Sequence, residues 1–384
     1  MEHPISQINV GRIKVVFGQN SIKLLPNELK LLHVAKPLLI SDPVLVKLGT
    51  VEAIASTLRE AGTAFAVYDT VAPEPGSHLI DEAVVRFREN GCDGVVALGG
   101  GSVMDVAKCV AAMGTNPGRF LDYDYTNPNQ KQFEHDCLPL VSIPTTAGTG
   151  SELSQYVAIT NDESGVKAGS GSPKLMTHTA IVDPLLVRGL PRNATAACGC
   201  DALAHCIEGF VSTKSLNAPN MIIDALALQG IALLYRYLPR AVENGEDMEA
   251  REMVSWAATI GGIALQYGSG AAHGISNVIG GMYHVPHGNA IAMLLPHVLR
   301  FNLPQCRDRY SLVAERLGMQ NAEEAIEALT QMIEGFGLPR LSAYAPDKAE
   351  LEKTAAAAVL DKCTKYNGRP VTTADALELL EKAY

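Results

Sequence analysis

The sequence predicts two domains, an α/β amino-terminal domain built on a parallel sheet and an all-α carboxyl-terminal domain. Three observations lead there. At 384 residues the chain is longer than one hydrophobic core usually supports, so two domains are expected. In the first half, short apolar runs alternate with segments of helical periodicity, and strand and helix in turn mean parallel strands joined by crossover helices. After about Asp183 the strand signals stop, and helical segments follow one another with breaks such as "KSLNAPN", "NGED", "YGSG", "HVPHG" and "FGLPR". The domains are set at 1–185 and 186–384.

The elements of the first half come in order. "KPLLIS" is a strand followed by a helix over 51–61, and "AFAVYD" a strand followed by a helix over 77–90. "GVVALGGG" is a strand that runs into a helix over 102–113, and "PLVSIPTT" is the last strand of the series. No repeat, heptad run or low-complexity tract interrupts them.

Composition narrows the function classes. A hydrophobic content of 47% against 19% charged residues excludes a disordered chain, and a net charge of −10 argues against a nucleic-acid or anionic-membrane surface. A small-molecule partner is expected instead. The amino terminus "MEHPISQINVGRIKVVFG" lacks a basic region followed by an apolar stretch, which predicts a cytoplasmic protein. The eight cysteines form no CxxC pair and no disulfide framework, so they read as reduced thiols. Between Met253 and Leu299 there is no Asp, Glu, Lys or Arg, yet Gly, Ser, Asn, Pro and His recur every few residues. Lipid would reject that pattern, and a helical core around something polar accounts for it.

Two loops at strand ends are built for an anion. In "GVVALGGGSVMDVAK" a strand enters Gly99, Gly100 and Gly101 and then a helix starting at Ser102, so backbone N–H groups and the positive helix end can approach a phosphate with no side chain between. In "IPTTAGTGSE" Thr145, Thr146 and Thr149 add hydroxyls to a second such loop. Two anion-binding loops at strand carboxyl ends suggest a dinucleotide and a variant of the Rossmann arrangement, since GxGxxG itself is missing. Asp42 ends "PLLISD", where a carboxylate would accept ribose hydroxyls and repel a 2′-phosphate, favouring NAD over NADP. The alternative for Asp42 is a plain turn start before Pro43.

The second half carries a metal-ligand pattern. Asp201 and His205 in "DALAHCIEG" are four apart on a helix and project from one face. His273 and His287 lie in the uncharged segment and complete a set of four. One carboxylate and three imidazoles suit a divalent transition metal, Fe2+ or Zn2+, and suit Ca2+ or Mg2+ poorly. A thiolate site of Cys198 and His205 with Cys200 or Cys206 would favour zinc but leaves the two distant histidines unexplained. His284 could line a pocket, whereas His297 reads as a core or cap residue.

"GGGSVMDVAK", "IPTTAGTGSE", "GCDALAHCIEGFVS" and "HGISNVIGGMYHVPHG", in this order, resemble the iron-dependent (group III) alcohol dehydrogenase family over nearly the whole chain. The resemblance implies a dinucleotide-binding domain, a helical metal-binding domain and a cleft between them for NAD(P) and the metal. It places metal ligands at Asp201, His205, His273 and His287, the pyrophosphate loop at Gly100, Gly101 and Ser102, and the second cofactor loop at Thr145, Thr146 and Thr149. It places Lys167 in "ESGVKAG" near the nicotinamide ribose, and Asp42 as the acid of NAD-preferring members. The implied reaction is hydride transfer between the carbon of a small alcohol, its hydroxyl acidified by the cation, and nicotinamide, or the reverse reduction of an aldehyde. A homodimer or larger homo-oligomer is expected on the same ground.

Three positions depart from the family pattern. Asn277 stands where many members carry a histidine near the substrate, Glu74 makes "PEP" of the usual "PNP", and Val103 replaces a common proline. An amide cannot shuttle a proton, so His284, water or a ribose hydroxyl is left as the route. A zinc polyol dehydrogenase or a maleylacetate-type reductase is the alternative within the superfamily. A catalytically silent dinucleotide-binding sensor is the alternative outside enzymes.

Overall fold

The computed structural model describes residues 6–165, 167–344 and 347–384. Residues 1–5, where the amino-terminal reading begins, lie outside them. The chain divides into two compact units, Met1–Thr146 with Ser151–Val187, and Ala147–Gly150 with Arg188–Tyr384.

The first unit contains strands β1 (Ser6–Val10), β2 (Ile13–Phe17), β3 (Pro37–Ile40), β4 (Ala66–Tyr68), β5 (Gly94–Gly99), β6 (Leu140–Pro144), β7 (Tyr156–Thr160), β8 (Lys167–Gly171) and β9 (Thr179–Val182). Its helices are α1 (Leu25–Leu31), α2 (Pro43–Lys47), α3 (Thr50–Glu60), α4 (Ser77–Glu89) and α5 (Gly101–Met113). Seven strands form one sheet in the order β1-β2-β9-β6-β5-β3-β4, parallel throughout from β2 to β4, with β1 antiparallel at one edge. β7 and β8 form a separate antiparallel pair. Sequence periodicity had found β3 to β6 and their helices; it had not found β1, β2, β7, β8 or β9.

The central strands read as unbroken apolar runs because both faces of the sheet are covered. Leu38, Ile40, Val95 and Ala97 pack with Ile80 and Ala83 of α4 and Met104 and Ala107 of α5. Their alternates Leu39, Val96, Leu98 and Ile143 pack with Leu29 of α1 and Ile54 and Leu58 of α3. Each of the Val, Leu, Ile and Met side chains stabilises the unit by about 1.5–3 kcal/mol on burial. The register sets Leu98 beside Ile143 and Gly99 beside Pro144, so β5 and β6 end level. The Thr145 N–H then donates to the Gly99 carbonyl at 3.0 Å, and the glycine and threonine loops emerge side by side.

The second unit is helical: α6 (Arg192–Val211), α7 (Thr213–Asn217), α8 (Met221–Glu243), α9 (Met248–Ala264), α10 (Ala271–Tyr283), α11 (His287–Leu317), α12 (Ala322–Gly335), α13 (Leu351–Ala358), α14 (Lys362–Lys365) and α15 (Thr373–Ala383). α6 is buried along almost its whole length. Its Ala, Gly and Cys residues are what let α8, α9 and α11 pack around one helix. α8 is long and apolar enough, by length and composition, to cross a membrane; here it packs on α6 and α9.

Candidate metal centre and nucleotide loops

Three helices of the second unit converge on one carboxylate oxygen. α6 supplies Asp201 and His205 one turn apart, α10 supplies His273 in its first turn, and α11 begins at His287. From Asp201 Oδ1, the Nε2 atoms lie at 3.6 Å for His205, 3.4 Å for His273 and 3.4 Å for His287. Donor atoms of Asp201, His205 and His273 all fall within 4.8 Å of one another; His287 joins them through Asp201. The rings of His205 and His273 stack with centroids 4.6 Å apart, and those of His273 and His287 tilt at 5.5 Å. The side chain of His287 is 37% exposed against 3% for Asp201, so the cluster opens to solvent on the His287 side.

Separations of 3.4 to 3.6 Å are too long for good hydrogen bonds. Asp201 Oδ1 and His273 Nε2 are both buried without a hydrogen-bond partner among the described residues, a costly state for polar atoms unless something else binds them. A cation would supply the missing partner. Ligand bonds of about 2.1 Å from a common ion place tetrahedral neighbours about 3.4 Å apart, the spacing that separates Asp201 Oδ1 from each imidazole. The donor set therefore fits a divalent transition metal on geometry as well as chemistry.

The electrostatics agree. Burial works against the charged carboxylate of Asp201, but the imidazoles of His205, His287 and His273 outweigh it and hold the group well below its usual range. Burial pushes His205 down to about 4, keeping its imidazole neutral as a ligand must be. Burial also opposes a charged His273, yet Glu208 and Asp201 lift it to about 10. Of these imidazoles His273 is the one held protonated, so a cation binding there would displace its proton.

Glu208 is the residue that sequence reasoning missed. Its Oε2 lies 2.5 Å from His273 Nδ1 and accepts the Gly270 N–H at 2.8 Å, while Oε1 accepts the Ala272 N–H at 2.7 Å. The carboxylate therefore caps the start of α10 and orients the imidazole that α10 carries. A Cβ on Gly270 would sit 2.7 Å from Glu208 Oε1, so only glycine allows this approach. The signal was present in "DALAHCIEG": Glu208 is three residues after His205 on the same helix, and it is an acid without a visible partner.

No cysteine joins the cluster. The donor group at Asp201 takes in His205 and His273 and no thiol among the described residues, and burial pushes Cys198 and Cys206 up to about 12. Cys206 Sγ faces Gly230 of α8, and the Cys198 backbone packs on Gly148. The thiolate alternative is corrected on that ground: these thiols fill space between tightly packed elements. All eight cysteines are free.

The first unit places the nucleotide-loop residues as follows. Gly100 caps α5, and Gly101 and Ser102 open it. A Cβ on Gly100 would touch Thr146 at 3.4 Å, and Val103 packs onto Gly99. Thr145 bonds Gly99, and Thr146 Oγ1 is buried without a partner among the described residues. Thr149 lies in Ala147–Gly150, which groups with the helical unit. Asp42 is the N-cap of α2, its Oδ1 accepting from the N–H groups of Val44 and Leu45 at 2.8 and 3.0 Å; the turn-start role holds. Lys167 forms an ion pair with Glu74, so the "PEP" departure and the expected ribose lysine meet. Glu74 is in the left-handed region at φ 53.

Of the two residues expected near the substrate, Asn277 lies one turn beyond His273 on α10. Its Nδ2 donates to Asp361 Oδ2 at 3.3 Å and lies 3.9 Å from Cys363 Sγ. His284 ends α10 as an exposed left-handed cap at φ 55, outside the group around Asp201.

The family model described as "Iron-containing alcohol dehydrogenase" matches residues 13–184, and that of the "Fe-containing alcohol dehydrogenase family, C-terminal" matches residues 195–384. The chain belongs to the iron-containing alcohol dehydrogenase family. Among its relatives, an "NAD-dependent methanol dehydrogenase" of Bacillus methanolicus is 36% identical over 380 residues, covering 96% of this chain and 97% of the relative. Among solved structures, a 1,3-propanediol oxidoreductase superposes with a TM-score of 0.90 at 32% identity, with both chains covered fully. The sulfoacetaldehyde reductase of Bifidobacterium kashiwanohense in complex with NAD+ gives 0.89 at 25% identity, with 99% of each chain covered. The two family models thus cover the α/β part and the helical part of this alcohol dehydrogenase chain in turn.

Proposed function

We propose that this family member is a metal-dependent, NAD-linked alcohol dehydrogenase and aldehyde reductase acting on a small alcohol. The observation that carries the reading is the convergence of three imidazole Nε2 atoms on Asp201 Oδ1, at 3.4 to 3.6 Å. Asp201, His205, His273 and His287 would hold Fe2+ or Zn2+. A bound divalent metal acidifies a hydroxyl and polarises a carbonyl, supplying several kcal/mol of charge stabilisation.

The residues of this chain do the rest. Glu208 fixes the tautomer of His273 so that Nε2 faces the centre. The N–H groups opening α5 at Gly100, Gly101 and Ser102 receive the pyrophosphate of NAD. Thr145, Thr146 and Thr149 bond the cofactor along the second loop, Lys167 reaches its ribose, and Asp42 disfavours the 2′-phosphate of NADP. Asn277 orients a substrate oxygen or a water rather than taking the proton, which leaves through water or His284. Eight free cysteines support a cytoplasmic setting, and self-association as a homodimer or larger assembly follows the family resemblance.

The experiment is a metal assay with turnover. Purified protein is analysed for iron and zinc, then offered NAD with primary alcohols, diols and hydroxy acids, before and after chelation. Loss of NADH formation on chelation and its return with Fe2+ or Zn2+ is expected. Undiminished turnover without metal would indicate a maleylacetate-type reductase. NADH binding with no substrate oxidised or reduced would indicate a sensor.

A further inference from the structure

A second buried polar cluster lies in the first unit, and no step above uses it. Asp105 and Lys108 follow the glycine loop on α5, and Lys108 is completely buried, at 0% exposure. Lys108 Nζ donates to Ser151 Oγ at 2.8 Å and to the Tyr156 carbonyl at 3.0 Å. Ser151 Oγ donates in turn to Asp105 Oδ1 at 2.9 Å, and Asp105 Oδ2 accepts the Ala158 N–H at 2.9 Å. A hydroxyl has one proton, so Ser151 accepts from the lysine and donates to the carboxylate in one fixed direction.

The partners of this pair lie on three separate pieces of chain. One is α5, whose first turn is Gly101 and Ser102. The second is Ser151, two residues after Thr149. The third is β7, which supplies Tyr156 and Ala158 and whose partner β8 starts at Lys167, opposite Thr160. An apolar side chain of similar length would fill the same volume without taking charge out of water. What the charged pair adds is direction: it admits one arrangement of the three pieces.

We propose that Asp105 and Lys108, acting through Ser151, are positioning residues for the dinucleotide, holding the glycine loop, the threonine loop and the Lys167 hairpin in the spacing that NAD spans. This rests on the reading of those loops as the cofactor site. Neither side chain touches the cofactor. Their removal loosens the site while leaving the metal ligands on their own helices untouched.

The test titrates the metal-loaded full chain with NADH by fluorescence, for wild type, Lys108→Met, Asp105→Asn, Ser151→Ala and Gly100→Val, with melting curves and bound metal measured on each. The positioning role predicts an NADH Kd about tenfold weaker for Lys108→Met, the size of one lost charged hydrogen bond. KM for NAD should rise likewise, while kcat at saturating NAD and metal content stay near wild type. Ser151→Ala should move Kd in the same direction by a smaller factor, and it decides the matter if Lys108→Met does not fold. A lower melting temperature with NADH Kd unchanged in Ser151→Ala and in every variant that folds would overturn the proposal. NADH binding unaffected by Gly100→Val would instead overturn the reading of the loop as the phosphate site.

Discussion

The two units each bury a cluster of titratable groups, and the clusters differ in how their polar atoms are satisfied. Around Lys108, the ammonium, the Ser151 hydroxyl and both Asp105 oxygens have partners within the protein. Around Asp201, polar atoms approach to 3.4 Å and stop, with Asp201 Oδ1 and His273 Nε2 left without partners among the described residues. Both clusters cost desolvation. The closed one recovers it by hydrogen bonding and specifies geometry; the open one recovers it only when a cation arrives. The difference teaches that unsatisfied convergence, rather than burial of charge alone, marks a ligand site.

The largest effect should come from emptying the open cluster. Asp201→Ala removes the carboxylate that all three imidazoles face, and kcat/KM should fall by about 10³-fold, the equivalent of about 4 kcal/mol. Metal analysis should find the variant depleted. Full metal content with full turnover would break the contrast between the clusters. Glu208→Gln should weaken metal retention by about 10–100-fold, read by competition with a chelator, because an amide serves both His273 and the α10 N–H groups less well than a carboxylate.

The closed cluster sharpens the comparison through pH. Burial pushes Glu152, next to Ser151, up to about 7 from an ordinary 4.5, against the pull of Lys108. A carboxyl group with a raised folded-state pKa contributes stability fully present below pH 4.5 and lost as pH rises through 7. Glu152→Gln should remove that slope, which is worth on the order of 3 kcal/mol. The check is the difference in melting temperature between the variant and wild type from pH 5 to pH 8; parallel curves would show Glu152 to be ordinary. The smallest effect is expected at Asn277→His, which places a titratable ring one turn from His273. It should shift the pH profile of turnover with little change in stability, and an unchanged profile would set position 277 off the proton route.

Much of this was legible in the residues themselves. β3, β5 and their helices follow from local periodicity, and Asp201 with His205 follows from a spacing of four on a helix. His273 and His287 could be singled out because nothing charged surrounded them. What escaped was non-local. β2 and β9 are short and pair with each other across the sequence, Lys14 opposite Thr179, so neither announces itself within a window of a dozen residues. Glu208 looked like one more acid because His273 lies 65 positions away. Asp42 carries both a cofactor reading and a turn-start reading in the sequence, and the structure shows its Oδ1 holding the first turn of α2.

Sequence alone determined which residue types were available and where β3 to β6 and the helices between them would form, because backbone periodicity and ligand chemistry are properties of short segments. Tertiary structure decided which of the buried polar groups would find partners inside the protein. That depends on how far apart packed helices and level strand ends hold atoms from distant parts of the chain, a spacing that no local pattern encodes.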